Sequence, residues 1–243
     1  MPTPRLILHY YPGHYPPTFT DPATGTTAGP GLLLLIDDSK VLFRGKAWGG
    51  VSKLMLDGTN PPFTPTPAGT YVLADPAPYA TRTWKFSEIK WGTRIKASPS
   101  DPTNVWYQLP STSGKESWAS LKRDFGITRS DIERQYLDLY GKIALPKTWV
   151  FNAFGPLAVR FFIDKNANGK LDPDSESLSG AMFHTTAENE AEVATGKPLA
   201  MGNSHGCIHM QPADRDSLIG MGGLKAGVSL VIHQYWERYG TLP

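Results

Sequence analysis

The chain has 243 residues, 40% of them hydrophobic and 19% charged, with a formal net charge of +2. This length can bury a core without a metal or a disulfide, and the near-neutral charge gives no basis for binding nucleic acid or an anionic membrane surface. The 24 glycines and 22 prolines are typical of a protein with many turns, so we expect one large, mainly β domain.

The amino-terminal residues carry no recognisable export signal. MPTPRLILHYYPGHYPPTF has no basic segment followed by a continuous apolar one, so we predict no cleavable signal peptide. The longest apolar run, GLLLLI at 31–36, is too short to span a bilayer, and we predict no membrane insertion.

The first third of the chain is predicted to form strands joined by turns. RLILHYY at 5–11 begins the series, and a Pro/Gly/Thr-rich loop at 12–31 follows it. Residues 31–50 then read as a hairpin, with a polar turn between two strands. A Pro-rich turn leads into another short strand at Gly69.

Residues 115–141 change to a helical pattern. Trp118, Leu121 and Phe125 have helical spacing before Gly126, and Thr128 and Asp131 match a capping box that opens a second helix ending at Gly141. Two short helices joined by a tight turn also resemble a helix-turn-helix DNA reader. The mixed charges and the β-rich flanks favour a helical insertion instead.

The last hundred residues return to strands. Apolar residues alternate with others from Leu157 to Ile163, which predicts a strand with one apolar face. GVSLVIHQYW at 227–236 is a late strand, and a short helix is predicted to begin at Pro212 between them.

A polar loop at 164–176 resembles an EF-hand calcium loop. Its oxygen-bearing side chains at the first, third, fifth and ninth positions are Asp164, Asn166, Asn168 and Asp172. Ser175 stands where the bidentate Glu belongs, and Glu176 comes one place late. The sequence therefore leaves two interpretations: weak structural calcium binding, or a plain polar turn.

Cys207 is the only cysteine and lies in MGNSHGCIHM at 201–210. It cannot form an intrachain disulfide, so cysteine usage does not identify the redox compartment. One interpretation is a buried structural thiol. Another is a zinc site, because His205, Cys207 and His209 alternate and His184 could complete a tetrahedral ligand set, although the spacing is unlike the usual one.

A third interpretation is a cysteine nucleophile with a histidine base. A thiol with an ordinary pKa is mostly protonated at neutral pH, so it needs a nearby imidazole or a positive field. His184 upstream and His233 downstream are both candidates. Spacing alone does not choose between them.

The stretch Ser204-His205-Gly206-Cys207-Ile208, with His184 upstream, resembles the signature of the L,D-transpeptidase catalytic domain. Thr66-Pro67-Ala68-Gly69-Thr70-Tyr71, the hairpin at 31–50 and the strand GVSLVI are similar to further parts of that family in the same order. The resemblance covers roughly 31–75 and 150–235. It implies a single β-sandwich domain over 1–243, with a family-atypical insertion at about 76–149.

The resemblance also implies roles for residues around the cysteine. Cys207 would be the nucleophile and His184 its base, while backbone N–H groups around His205, Gly206 and Cys207 would hold the oxyanion. Ser204 would orient the loop or the substrate, or have a purely structural role in the turn. His209 stands where the family usually has Arg or Asn, so its role is either substrate contact or structure. The segment 188–196 would be an extra loop at the mouth of the site.

The implied activity is acyl transfer on peptidoglycan tetrapeptide stems, with no cofactor required. Cross-linking, exchange of the terminal D-amino acid and carboxypeptidase cleavage are all open outcomes. A non-catalytic cell-wall-binding module and a cysteine peptidase or amidase that uses His233 are alternatives. The chain would act in the periplasm or cell wall. Delivery as an antibacterial effector would add a secretion machine and an immunity protein as partners.

Overall fold

The computed structural model describes residues 6–56, 58, 61–111 and 114–240. The chain forms two compact units. Unit 1 lies within residues 1–76, 158–184 and 200–243, and unit 2 comprises 77–157 and 185–199. Unit 2 overlaps the stretch 76–149 that the sequence sets apart as an insertion. The folding of the whole chain as a single domain stays a prediction.

Strands dominate the described residues. The strands, numbered along the chain, are β1 Leu6–Tyr11, β2 Phe19–Thr20, β3 Thr27–Ala28, β4 Pro30–Asp37, β5 Lys40–Trp48, β6 Gly69–Leu73, β7 Ile95–Ala97, β8 Val105–Gln108, β9 Trp118–Ser120, β10 Ala158–Phe162, β11 Leu178–His184, β12 Ile208–Met210 and β13 Ser229–Ile232. The helices are α1 Leu121–Phe125, α2 Arg129–Tyr140, α3 Ala187–Thr195 and α4 Pro212–Gly220.

Eight strands of unit 1 close into a barrel in the order β1-β13-β6-β10-β11-β12-β5-β4. Two parallel pairings, β1 with β13 and β11 with β12, join otherwise antiparallel neighbours. The mainly β class predicted from the sequence is confirmed. The strands expected to form two stacked sheets are connected into one closed ring, which leaves no free sheet edge within it.

The leucine run of β4 shows why the barrel core forms where it does. Leu33 and Leu35 pack inside the barrel, while Leu32 and Leu34 pack with Tyr11 in a second cluster. All four leucines are fully buried. A strand that is covered on both faces needs a continuous apolar sequence in place of an alternating one.

The capping signals correctly locate two predicted helices. Thr128 and Asp131 form the reciprocal capping box of α2, and Gly141 ends that helix in the left-handed conformation. Helix α1 ends at Gly126 as predicted, but it begins only at Leu121 because Trp118 belongs to β9. The elements predicted for the last hundred residues are confirmed as β10, α4 and β13. Val159 and Phe161 lie in the core as predicted, but Ile163, predicted on the same apolar face, lies beyond β10 and is 59% exposed.

The segment 188–196 is helical, so its assignment as an extra loop is wrong. Helix α3 covers most of it, with the Thr186 side chain accepting a hydrogen bond from the Asn189 N–H and with Gly196 ending the helix. Ala187 and Ala191 pack in the core of unit 2, around the fully buried Trp149. The apolar spacing of these alanines is too weak in the sequence to predict the helix.

Within the described ranges, every helix is too short or too polar to cross a membrane.

Candidate active site

The parallel pairing of β11 with β12 brings the cysteine region beside His184. Phe183 pairs with Ile208 and His184 with His209. Phe183 and Ile208 point into the barrel core, so the alternation of a strand places His184 and His209 on its outer face. Cys207 immediately precedes β12 and shares this face. The backbone of Met182, the residue beside Cys207 in the same register, hydrogen-bonds its thiol.

Burial controls the protonation state of the thiol. Removal from water raises the pKa of Cys207 to about 11, and the hydrogen bond from the Met182 backbone opposes that rise. The thiol is therefore protonated at neutral pH, and it needs a base before it can attack a carbonyl. The imidazole on the same strand face in the adjacent register, His184, is itself buried.

His209 holds a neutral imidazole edge-on against His184. The two ring centroids lie 4.6 Å apart with an interplanar angle of 70°. The His209 Nδ1 lies 3.1 Å from the Gly202 carbonyl oxygen, and since a carbonyl only accepts, Nδ1 carries the proton. Burial lowers the pKa of His209 to about 4, with a further lowering by His205 and an opposing effect from the Gly202 carbonyl.

Ser204 shapes the loop that carries Cys207. Its side chain is buried, accepts the Gly206 N–H at 3.1 Å and donates to the Cys207 carbonyl. Its own N–H donates to the Gly49 carbonyl at 3.0 Å. Both side-chain bonds of Ser204 thus stay inside the loop. The Gly206 N–H, one of the expected oxyanion donors, is occupied by this serine.

Gly206 is required by its backbone conformation and by its neighbour. It has φ of +113°, and a Cβ atom there would lie 2.8 Å from the Thr64 Oγ1. The same Thr64 hydroxyl donates to the His205 carbonyl at 2.8 Å. The loop is therefore clamped at His205 by a side chain from a distant part of unit 1.

The imidazole of His205 packs against one aromatic side chain, Phe63. The two rings stack, with the centroids 4.0 Å apart and the planes at 17°. The sequence alone did not identify Phe63 and Thr64 as residues of the site. Thr64 lies 141 positions from its hydrogen-bond partner His205, and no local pattern links the two segments. Thr64 begins the Pro-rich stretch TPTPAG at 64–69, which predicted only a turn before β6.

His233 lies away from Cys207. It directly follows β13, which stands four places from β12 in either direction around the eight-stranded ring. His233 instead stacks on Tyr11 at 3.7 Å and lies within hydrogen-bonding distance of His9 and Glu237. The pairing of Cys207 with His233 has no support in this geometry.

Metal ligands do not cluster at the cysteine. Within the described residues there is no group of three or more His, Cys, Asp or Glu side chains arranged to hold a metal ion. The described residues therefore give no support to the zinc interpretation of His205, Cys207, His209 and His184.

The polar loop at 164–176 closes on itself. The Nδ2 atoms of Asn166 and Asn168 lie 2.6 and 2.8 Å from one oxygen of Asp172, and Asp164 accepts the N–H groups of Asn168 and Gly169. Glu176 is buried, and its two carboxylate oxygens accept the backbone N–H groups of Lys165 and Asp172, which stabilises the loop. The amide oxygens of Asn166 and Asn168 accept the backbone N–H groups of Asn168 and Lys170, which fixes the orientation of both amides. The hydrogen bonds of the loop are thus those of a polar turn, and calcium binding stays a prediction.

A closed β-barrel that carries a half-buried cysteine and two imidazoles on one face of its sheet defines a candidate cysteine-nucleophile domain. The chain matches the YkuD family model, the L,D-transpeptidase catalytic domain, over residues 28–228. The match covers most of the chain, which therefore belongs to this family and confirms the resemblance drawn from the sequence. Members of the family are cysteine L,D-transpeptidases that act on peptidoglycan in the cell wall. A comparison with curated proteins and one with solved structures each gave no significant match.

Proposed function

We propose that this chain is an L,D-transpeptidase in which Cys207 is the nucleophile and His184 its base. The observation that carries the proposal is the β11–β12 register, which aligns the thiol and the imidazole on one face of unit 1. Family membership supplies the substrate class, the tetrapeptide stem of peptidoglycan.

The first half-reaction forms an acyl-enzyme. His184 takes the thiol proton, and the sulfur attacks the carbonyl of the third stem residue. The carbon–sulfur bond forms as the amide bond to the terminal D-alanine breaks, and His184 returns the proton to the leaving amine. The raised pKa of Cys207 suits this order, because the proton leaves sulfur only when substrate and base are both in place.

The loop around Cys207 supplies the oxyanion donors. The Gly206 N–H is engaged by Ser204, so among the loop amides around His205, Gly206 and Cys207 we assign the oxyanion first to the Cys207 N–H. Ser204 and Thr64 hold these amides in place as positioning residues. Loss of one oxyanion donor typically costs about 10²–10³ in rate.

His209 positions the base without contacting the reacting atoms. Its pKa of about 4 keeps it neutral, so it packs edge-on against His184 without adding a competing charge. This assigns His209 a structural role instead of the substrate contact that the sequence also allowed.

The second half-reaction decides the product. An amine from a neighbouring stem gives a cross-link, a free D-amino acid gives exchange, and water gives carboxypeptidase cleavage. In each case the acceptor forms a bond to the acyl carbon as the carbon–sulfur bond breaks, and His184 takes the acceptor proton and returns it to the leaving sulfur. Mass spectrometry of products from purified disaccharide-tetrapeptides distinguishes the three outcomes.

Separate histidine variants test the choice of base. We expect His184→Ala to abolish acylation of Cys207. The matched variant His233→Ala, which removes an imidazole from the opposite side of the barrel, should retain it. Acylation that survives His184→Ala and fails in His233→Ala would overturn the assignment.

A non-catalytic cell-wall-binding module is the alternative from another class. A binding module has no reason to make its thiol reactive, so stoichiometric labelling of Cys207 by a carbapenem favours the enzyme. Absence of labelling, together with retained binding to peptidoglycan, would favour the module.

We propose the periplasm or cell wall as the place of action, because the substrate lies there. An antibacterial effector is the further hypothesis. It predicts that the chain slows growth of a host when directed to the periplasm and that the Cys207→Ala variant does not. Equal growth with both chains would count against the effector role.

A further inference from the structure

Unit 1 has a groove, separate from the face that carries Cys207 and His184, with a volume of about 440 Å³. Its walls come from the segment after β1, from the β2–β3 hairpin, from the residues after β5 and from the carboxyl-terminal segment. The side chains that give it chemical character are Tyr15, Ser52, Lys53, Tyr235, Trp236 and Arg238.

The groove is connected to the Cys207 loop through Gly49 and Gly50. The Tyr235 hydroxyl donates a hydrogen bond to the Gly50 carbonyl, and burial raises the pKa of that hydroxyl well above its usual range. A Cβ atom on Gly50 would lie 3.1 Å from the Gly206 Cα. The Gly49 carbonyl binds the Ser204 N–H. The groove and the Cys207 loop therefore contact the same backbone segment, Gly49 and Gly50.

The composition of the walls selects a particular kind of ligand. Trp236 leaves 75% of its surface exposed, so its ring is accessible to a ligand in the groove. Lys53 and Arg238 bring positive charge, and the wall residues in the described part of the chain include no Asp or Glu. The Arg238 guanidinium is held in place by the Tyr235 carbonyl at 2.6 Å.

An exposed indole beside two cations suits a saccharide that carries carboxylates. The negative π-face of an indole attracts the polarised C–H groups of a sugar ring, and the cations complement acidic groups close to that ring. The cell-wall polymer combines both features, because its amino-sugar strand bears the acidic stem peptides on which the proposed reaction takes place.

We propose that this groove binds the amino-sugar portion of the substrate, with Trp236 as the stacking platform and Lys53 and Arg238 as the anion-binding side chains. The proposal rests on the proposed function for the identity of the polymer. It assigns the groove the role of selecting glycan-linked stems over free peptides.

Binding to the inactive Cys207→Ala chain tests the groove without turnover. The two ligands are a disaccharide-tetrapeptide and the same tetrapeptide without sugar, measured by calorimetry. We expect the Cys207→Ala chain to bind the disaccharide ligand more tightly. Adding Trp236→Ala should weaken that ligand about threefold to tenfold, the effect of losing one aromatic partner, and should leave the tetrapeptide unchanged.

Two further variants keep the result interpretable. Trp236→Phe retains a ring and should retain most of the preference. Ile163→Ala removes an apolar side chain that is also exposed, at 59%, but lies outside the groove, and it should change neither affinity.

Three outcomes would overturn the proposal: equal binding of the two ligands, equal weakening of both by Trp236→Ala, or no binding of either. Equal weakening would place the peptide in the groove instead. Failure of the proposed function gives a different result. The wild-type chain would then turn over neither ligand, but the Cys207→Ala chain would still bind the disaccharide ligand more tightly than the tetrapeptide.

Discussion

Gly206→Ala tests the requirement for a bare backbone beside the nucleophile. An alanine at φ of +113° takes up a conformation that costs about 1–3 kcal/mol for residues with a side chain. The new Cβ atom, 2.8 Å from the Thr64 Oγ1, also pushes that hydroxyl away from the His205 carbonyl, at a cost of about 1 kcal/mol. The expected loss in the free energy of unfolding is therefore about 2–4 kcal/mol.

The assay is urea unfolding together with the rate of Cys207 acylation. Displacement of the loop by 1 Å is expected to lower acylation about 10²-fold. Gly202→Ala is the matched control, because Gly202 belongs to the same loop and a Cβ atom there meets nothing within 4 Å.

A second variant separates the steric cost from the backbone cost. With Thr64→Ala present, Gly206→Ala should cost less by about 1 kcal/mol, since the clash and the displaced hydrogen bond are both gone. Equal losses for Gly206→Ala and Gly202→Ala, or a loss below about 1 kcal/mol for Gly206→Ala, would refute the reasoning.

Three further predictions concern pH, the core of unit 2 and calcium. His209 is half-buried, and loss of water around its ring lowers the pKa in the folded chain to about 4 from the ordinary 6.5. The unfolded chain therefore binds the extra proton, and stability falls as the pH drops from 6.5 to 4, by up to about 3 kcal/mol. His209→Asn should remove this part of the slope, and parallel stability curves for the two chains would contradict the assignment. Asn152 is fully buried, and its side-chain amide makes hydrogen bonds to the backbone of Tyr79, Ile89 and Phe154. Asn152→Ala should therefore lower the free energy of unfolding by about 3–5 kcal/mol. Thr83→Ala, at an exposed position, should change it by less than about 0.5 kcal/mol. Calcium at millimolar concentration should raise Tm relative to a chelator, and Asp172→Asn should abolish that rise; the same Tm with calcium and with chelator would leave only the plain polar turn.

Local signals predicted the helix ends and the strands with continuous or alternating apolar residues. Thr128 with Asp131, and the two glycines that end α1 and α2, act through bonds within a few residues, so they can be recognised from spacing alone. The closure of the barrel depends on the pairing of β1 with β13 across the whole chain, and no local pattern encodes it.

The residues of the candidate site also fall into two groups, those that the sequence predicted and those that only the tertiary fold reveals. Cys207 and His184 were identified from composition, neighbours and family resemblance, while Phe63 and Thr64 were not, because their contacts with His205 are set by the tertiary fold. The choice between His184 and His233 also needed the order of strands around the ring. Helix α3 was missed because its apolar face consists of alanines, whose small side chains give a weak periodic signal.

Intact-protein mass spectrometry with a disaccharide-tetrapeptide tests the central claim most directly. The wild-type chain should gain the mass of the substrate less D-alanine, and the added mass should map to Cys207. The Cys207→Ala chain should gain nothing, and His184→Ala should gain it far more slowly or not at all. An adduct on another residue, or release of D-alanine by the Cys207→Ala chain, would contradict the assignment of Cys207 as the nucleophile.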